Sequence, residues 1–227
     1  MVDFLEIYRQ QAGPYHTMIM AEDFQQHLKQ TLTALLPHQR ARLLDLGSGT
    51  GRLPRILKAE FEQIVALDLH RAMLLRQQGE ANLQLIEGDM RQLPIPSASF
   101  DVVSAGWAIG HLCGWCPQTW RQEVSRVLEE MQRTVNPGGL VMIMETYSTG
   151  ALDPVPPTPG LAALYQWYTG EWGFKQQVIS TDYLFSSPQE AREQMGFFFG
   201  EALSEKIERY QWRQVPEWTG IWWKTVD

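Results

Sequence analysis

Apolar residues along the chain alternate between helical spacing and short continuous runs. Leucines at helical spacing between residues 24 and 36 predict a helix, which Pro37 ends. Farther along, each short apolar run leads into a segment with helical spacing, and this alternation is typical of a parallel sheet with helices on both faces. The predicted strands are Arg42–Leu46, Ile64–Leu69, Leu83–Glu87, Phe100–Ser104 and Leu140–Glu145, and the clearest predicted helix is Thr119–Val135.

The pattern changes after Gly150. A proline-rich loop follows, and the residues beyond it carry most of the chain's aromatic side chains. Two β-like runs, Val178–Phe185 and Trp218–Thr225, flank a predicted helix around Gln189–Arg209. We therefore predict an α/β fold with a doubly wound, seven-stranded, mostly parallel sheet.

The composition narrows the classes of protein that the chain can belong to. With 44% hydrophobic and 20% charged residues it can bury a core, which excludes wholesale disorder. The net charge of -7 argues against nucleic-acid binding as the main role, because that role needs a basic face. No apolar run approaches the roughly 20 residues of a membrane span. Asp3 and Glu6 stand where a signal peptide carries basic residues, and two cysteines give no disulfide framework. We expect a soluble cytoplasmic protein.

The most informative stretch is LLDLGSGTGRL, from Leu43 to Leu53. A predicted strand ends there, and Gly47, Gly49 and Gly51 follow before the next helix. Glycine permits positive φ and lets a ligand lie directly against the backbone, beside the positive end of the helix. In an open α/β sheet this turn lies near the switch point where ligands bind. The spacing is GxGxG, whereas a dinucleotide-binding loop has GxGxxG.

Two further acidic residues end predicted strands. Asp68 ends the second strand, where its carboxylate can accept two ribose hydroxyls. Gly88-Asp89-Met90 ends the third, where a carboxylate can accept from an exocyclic amine and an apolar side chain can cover a purine face. Each Asp alone could equally be a helix N-cap. Three such strand ends on one sheet edge favour a ligand site.

These motifs resemble those of the class I S-adenosylmethionine-dependent methyltransferases. The similarity rests on LLDLGSGTGRL, ALDLHRAML, GDMRQLPIPSASFDVVSAGWAIGHL and NPGGLVMIMET, which occur in that order between about Arg40 and Glu145. Within this family the chain looks most like the small methyltransferase-domain enzymes of type 11. The resemblance implies one domain over residues 1–227, with N-terminal helices (1–37), a cofactor-binding core (40–146) and an aromatic-rich substrate lid with the last two strands (147–227).

The resemblance also implies S-adenosylmethionine as cofactor and assigns roles to matching positions. Asp45 and the glycine loop would hold its methionine part, Asp68 its ribose, and Asp89 its adenine amine. Tyr15 stands where the family often places an aromatic residue over the cofactor, although His16 replaces the usual acidic residue after it. The full implied set is Tyr15, Asp45, Gly47, Ser48, Gly49, Asp68, Leu69, Asp89, Met90, Ala105 and Gly106.

Methyl transfer from a sulfonium is an in-line displacement, so alignment and exclusion of water are the enzyme's main tasks. Hydroxyl, protonated amine and carbon acceptors also need a base. The candidates are His111, after the fourth predicted strand, and Glu145, at the end of the fifth. His111 could instead be a hydrogen-bonded residue at a helix start, and Glu145 could support neighbouring groups without touching substrate.

Two other features have competing interpretations. Cys113 and Cys116 form a CxxC pair, but no second pair exists to complete a structural zinc site, so we expect no metal. Tyr165, Tyr168 and Trp172 follow the proline loop, and we predict that they close an apolar pocket over a small organic substrate; core packing is the alternative for such aromatic residues.

The predicted function is transfer of a methyl group to the oxygen, nitrogen or carbon of a small molecule. One alternative is an NAD(P)-dependent oxidoreductase, which shares the sheet but needs the other glycine spacing and has a catalytic set such as YxxxK, absent here. Another is a non-catalytic module that binds the cofactor. Methylation of RNA or protein is a third, and the acidic net charge counts against RNA.

Overall fold

A computed structural model describes residues 11–77, 79 and 81–227. The part of the predicted N-terminal helical segment before residue 11 lies outside this range. The helices are α1 (Ala12–Met20), α2 (His27–Leu35), α3 (Arg52–Leu57), α4 (Arg71–Leu74), α5 (His111–Trp115), α6 (Trp120–Thr134), α7 (Pro159–Gly170), α8 (Pro188–Phe199) and α9 (Glu201–Tyr210). The strands are β1 (Arg42–Leu46), β2 (Gln63–Asp68), β3 (Leu83–Glu87), β4 (Phe100–Gly106), β5 (Val135–Thr149), β6 (Lys175–Ser180), β7 (Tyr183–Leu184), β8 (Gln214–Val215) and β9 (Glu217–Thr225).

The predicted fold class is confirmed. Seven strands form one sheet in the order β3-β2-β1-β4-β5-β9-β6. The first five pair in parallel, and β9 lies antiparallel between β5 and β6. Because the order reverses beside β1, the loops that follow β1 and β4 separate at the edge of the sheet and leave room for a ligand.

Apolar runs explain the central strands. Leu44 and Leu46 of β1 are fully buried on one face with α6, and Leu43 is fully buried on the other face with α2. Burial on both faces is what a continuous apolar run in a parallel sheet indicates. The two helical layers therefore fix the strands whose carboxyl ends carry the glycine loop and the acidic residues.

The C-terminal part differs from the prediction in two places. The run at 178–185 supplies two strands, since β6 joins the large sheet whereas β7 pairs with β8 in a separate two-stranded sheet. The helix predicted at 189–209 is two helices, because Gly200 has φ +83° and breaks it. Among the described residues, no helix combines the length and apolar character that crossing a membrane requires.

Candidate functional site

A cavity of about 350 Å³ opens at the carboxyl ends of β1, β2, β3 and β4. This size lies within the range of small-molecule sites, about 300–1,000 Å³. All of the predicted cofactor-binding residues line it except Ala105, which is fully buried inside β4. The four strand ends thus bring together residues that are far apart in the sequence.

The glycine loop forms one wall of the cavity. Gly47 and Gly49 have φ +63° and +56°, values that residues other than glycine rarely adopt. A Cβ at Gly47 would lie 2.4 Å from the Cβ of Ala108, so the loop after β1 packs directly against the segment after β4. The backbone N–H of Ser48 donates to the carbonyl oxygen of Leu67 at 3.0 Å, which ties the same loop to β2.

Asp68 joins two loops through its carboxylate. Oδ2 accepts the backbone N–H of Gly49 at 2.8 Å, and Oδ1 accepts the backbone N–H of His70 at 2.7 Å. Burial raises the pKa of Asp68, although both hydrogen bonds oppose that shift. Each oxygen has a second lone pair, so the carboxylate can still accept from a ligand in the cavity.

Asp45 is nearly fully buried and lines the cavity at the end of β1. The hydroxyl of Ser104 donates to its Oδ1 at 2.7 Å. Burial raises the pKa of Asp45 to about 7, and hydrogen bonds from Ser48 and Ser104 limit the shift. A positively charged ligand group beside it would favour the carboxylate form.

Asp89 is fixed by a neighbouring arginine. Nε and Nη2 of Arg91 donate to Asp89 Oδ2 at 3.1 and 2.6 Å, and Nη1 donates to Glu123 Oε2 at 2.7 Å. These bonds lower the pKa of Asp89, so it is ionised and held in one orientation on the cavity wall. Met90 lines the cavity beside it.

Tyr15 reaches the cavity from α1. Its ring packs against Phe198 of α8, with centroids 5.3 Å apart. Burial raises the pKa of the Tyr15 phenol to about 12, so it stays protonated near neutral pH. The N-terminal helix therefore adds an aromatic side chain to the wall of the cavity.

The two candidate bases lie in different environments. His111 lines the cavity, stacks on Trp115 with centroids 4.9 Å apart, and has its pKa lowered to about 4 by burial. Glu145 does not line the cavity. Its Oε1 accepts the backbone N–H of Gly110 at 2.7 Å, and burial raises its pKa to about 8. Glu145 therefore supports the backbone just before His111.

The predicted substrate-closing aromatic residues are not brought to the cavity. Tyr165 and Tyr168 of α7 pack against Trp222 of β9, with centroids 4.6 and 5.4 Å apart. Tyr165 also donates from its hydroxyl to the carbonyl of Thr146 at 2.6 Å, and Trp172 packs edge-on against Trp167. This differs from the predicted lid, because α7 lies on the sheet and buries these rings in the main core. We call Tyr147, Tyr165, Tyr168 and Trp222 the aromatic layer.

Arg52 and Trp107 are among the cavity-lining residues that sequence reasoning missed. Arg52 is the first residue of α3, and its guanidinium carbon lies 3.6 Å from the centre of a Trp107 ring. Trp107, directly after β4, has φ +54°. The position of this tryptophan, directly after a strand that ends at the predicted site, is a signal in the sequence that could have predicted its place in the cavity wall. Cys116 also lines the cavity as a free thiol, and no metal-binding cluster exists among the described residues.

Comparisons with known proteins agree with this geometry. Residues 44–143 match the family model described as a methyltransferase domain. The chain is 31% identical to the malonyl-[acyl-carrier protein] O-methyltransferase of Serratia marcescens, over 51% of this chain and 42% of that protein. It is 30% identical to the ubiquinone/menaquinone biosynthesis C-methyltransferase UbiE of Legionella pneumophila, over 63% of this chain and 56% of that protein. The chain thus spans about half the length of these curated relatives.

A solved structure extends the likeness to the whole fold. Phosphoethanolamine N-methyltransferase 2 of Haemonchus contortus, in complex with phosphomonomethylethanolamine and S-adenosylhomocysteine, superposes with a TM-score of 0.62. The match covers 99% of this chain and 60% of that one at 16% identity, so it shows the fold alone. The family match also confirms the predicted cofactor, S-adenosylmethionine. Residues 44–143 are thus similar to the methyltransferase domain family, and the chain has the fold of solved methyltransferases.

Proposed function

We propose that the protein transfers a methyl group from S-adenosylmethionine to a small molecule. The observation that carries this proposal is the convergence of the glycine loop, Asp45, Asp68 and Asp89 on one cavity. The residues present fit the cofactor: a Cβ at Gly47 would clash with Ala108, so the loop leaves a bare backbone wall, and carboxylates stand at three separate points along it. Its methionine part would lie at Asp45 and the glycine loop, its ribose at Asp68 and its adenine at Asp89.

When bound, the cofactor supplies a methyl group already activated on sulfur. The task of this chain is to align the acceptor and exclude water. Tyr15 and Met90 supply cover from the cavity wall. With a pKa of about 4, the His111 imidazole is neutral near pH 7 and weakly basic, so it would take the proton of the acceptor atom only as methyl transfer makes that proton acidic. Glu145 holds the backbone just before His111 and does not line the cavity, so we assign it a supporting role.

We further propose a cytoplasmic enzyme whose acceptor is a small metabolite. The net charge of -7 supports a small acceptor over RNA. The relatives act on different atoms, as their names state O-methylation and C-methylation. The atom methylated by this chain is therefore a question for a screen.

Calorimetric titration with S-adenosylhomocysteine tests the cofactor site, with NADPH titrated in parallel. We expect micromolar binding of the former and none of NADPH. Asp68→Ala should weaken binding by roughly 30- to 150-fold, since hydrogen bonds to a charged group contribute about 2–3 kcal/mol. Asp153→Ala, at a carboxylate outside the cavity, is the matched control. Binding of NADPH alone would overturn the proposal.

Turnover needs a separate measurement. Labelled S-adenosylmethionine incubated with pools of small metabolites should yield a labelled product. His111→Asn should slow that transfer at unchanged cofactor affinity. Cofactor binding without transfer to any pool would favour a non-catalytic module.

A further inference from the structure

One flank of the cavity is not accounted for by the cofactor motifs. It consists of Ile19, Arg52, Leu53 and Trp107, none of which belongs to the predicted cofactor set. This flank combines apolar side chains with one cation. It lies beneath the N-terminal segment, because Glu22, just after α1, forms an ion pair with Arg52.

Arg52 has hydrogen-bond donors that the described residues do not fill. Its Nη1 donates to Glu22 Oε2 at 2.7 Å, whereas its Nη2 is buried and has no partner among the described residues. A guanidinium has five N–H donors. Arg91, which also lines the cavity, is by contrast engaged by both Asp89 and Glu123. Leaving such donors unmet in a buried position is costly, so a ligand acceptor there is favoured.

The charges around Arg52 favour an anion. Glu22 offsets the guanidinium charge. Burial holds the pKa of Glu217 and of Tyr183 well above their ordinary values, so both of these groups are neutral. Asp23 also lies near Arg52, and burial raises its pKa. The cofactor's sulfonium would add a positive charge to the same cavity. A ligand oxyanion would balance it.

The backbone at Trp107 holds the guanidinium in place. Its φ of +54° is an outlier for a bulky residue, a strained conformation that persists where the surroundings impose it. The backbone N–H of Trp107 donates to the carbonyl of Met144 at 2.6 Å, which fixes that conformation. The indole covers one face of the Arg52 guanidinium and leaves its edge, where the N–H donors lie, for a ligand.

We propose that Arg52 binds an oxyanion of the methyl acceptor, either a carboxylate or a phosphate, so that the substrate is an organic anion. This inference rests on the proposed methyl transfer. Arg52 binds the acceptor through its N–H edge, and Trp107 provides the apolar wall beside it.

The test uses protein saturated with S-adenosylhomocysteine, and binding of that molecule to the unmodified chain checks the proposed function separately. Phenylacetate and its uncharged counterpart phenylacetamide are then titrated. We expect phenylacetate to bind at least about tenfold more tightly than phenylacetamide, because its carboxylate can form a charge-assisted hydrogen bond with Arg52. Equal binding of the two, or no detectable binding of phenylacetate at millimolar concentration, overturns the inference.

Two variants connect the preference to Arg52. The double variant Arg52→Gln/Glu22→Gln removes both members of the ion pair, so no lone buried charge destabilises the fold. It should abolish the preference for phenylacetate, whereas Arg52→Lys should keep part of it. A preference unchanged in the double variant overturns the inference. So does a loss of S-adenosylhomocysteine affinity without loss of methylthioadenosine affinity, which would assign Arg52 to the cofactor's carboxylate.

Discussion

Two regions of the molecule contain aromatic rings beside buried acidic side chains. One is the cavity at the ends of β1–β4, and the other is the aromatic layer between α7 and β9. Their surroundings differ. At the cavity, Asp68 and Asp89 keep hydrogen bonds to backbone or arginine and still face open space. In the aromatic layer, Tyr165 and Tyr168 both pack against Trp222 and leave no open space. Acidic and aromatic side chains therefore indicate a binding site only where they border an open cavity rather than one another. Changes in the first region should alter binding, and changes in the second should alter stability.

The largest expected effect is that of Trp222→Ala. Trp222 is fully buried against three tyrosines, and removing so large a core side chain costs about 3–5 kcal/mol. Urea unfolding measures this loss. Below the unfolding transition, affinity for S-adenosylhomocysteine should stay within twofold of the unmodified chain. A selective loss of affinity at full stability would move the aromatic layer into the site.

Asp89→Ala should affect binding and spare the core. Removing the proposed acceptor for the adenine amine should reduce S-adenosylhomocysteine affinity about tenfold, the value of one such hydrogen bond. S-inosylhomocysteine carries a carbonyl oxygen in place of the amine, so it should bind the unmodified chain more weakly than S-adenosylhomocysteine and should lose no affinity in the variant. Calorimetry compares the two ligands. If the variant still distinguished them, Asp89 would not be the adenine partner.

Glu145→Gln separates a supporting role from a catalytic one. The pKa of Glu145 rises from 4.5 unfolded to about 8 folded, so its contribution to stability is present at low pH and is lost as pH rises from about 4.5 to 8. Glutamine has no such titration and can still accept the Gly110 N–H. The variant should therefore gain stability relative to the unmodified chain between pH 5 and 8, measured by urea unfolding.

Methyl transfer at pH 7 should persist in the same variant. Loss of transfer with an intact fold would identify Glu145 as the base. An unchanged slope of stability with pH would show that Glu145 is already ionised when folded.

The smallest effect is expected for Tyr168→Phe. The Tyr168 hydroxyl is buried without a partner among the described residues, so removing it should leave stability unchanged or raise it slightly. Differential scanning calorimetry of this variant beside Tyr165→Phe gives a matched pair, because the Tyr165 hydroxyl does donate to Thr146. A larger loss for Tyr168→Phe than for Tyr165→Phe would contradict the contacts described.

The sequence predicted the sheet and the cofactor edge well, because both depend on local signals. A buried apolar run followed by GxGxG predicts a strand, its turn and the next helix together. Asp68 and Asp89 likewise stand at the ends of the two neighbouring strands. The roles of these residues stay predictions until tested. Arg52 was missed because its importance depends on Glu22 and Trp107, which reach it from distant segments.

The aromatic residues after the proline loop were harder to interpret, for a physical reason. Aromatic residues at helical spacing bury area equally well in a core or over a ligand, and only the partner decides. Here the partner is Trp222, over fifty residues beyond Tyr165. The break between α8 and α9 at Gly200 could not be predicted from the sequence either, since a glycine inside a helical pattern is often tolerated.

The position of β9 has a consequence for how the protein is made. This strand inserts between β5 and β6, so β6 has no partner in the large sheet until β9 has been synthesised. During translation the long strand β5 therefore exposes an open edge, with unpaired N–H and C=O groups that can pair with other chains. We expect nascent chains halted between β6 and β9 to require chaperones, whereas chains that include β9 close the sheet by themselves.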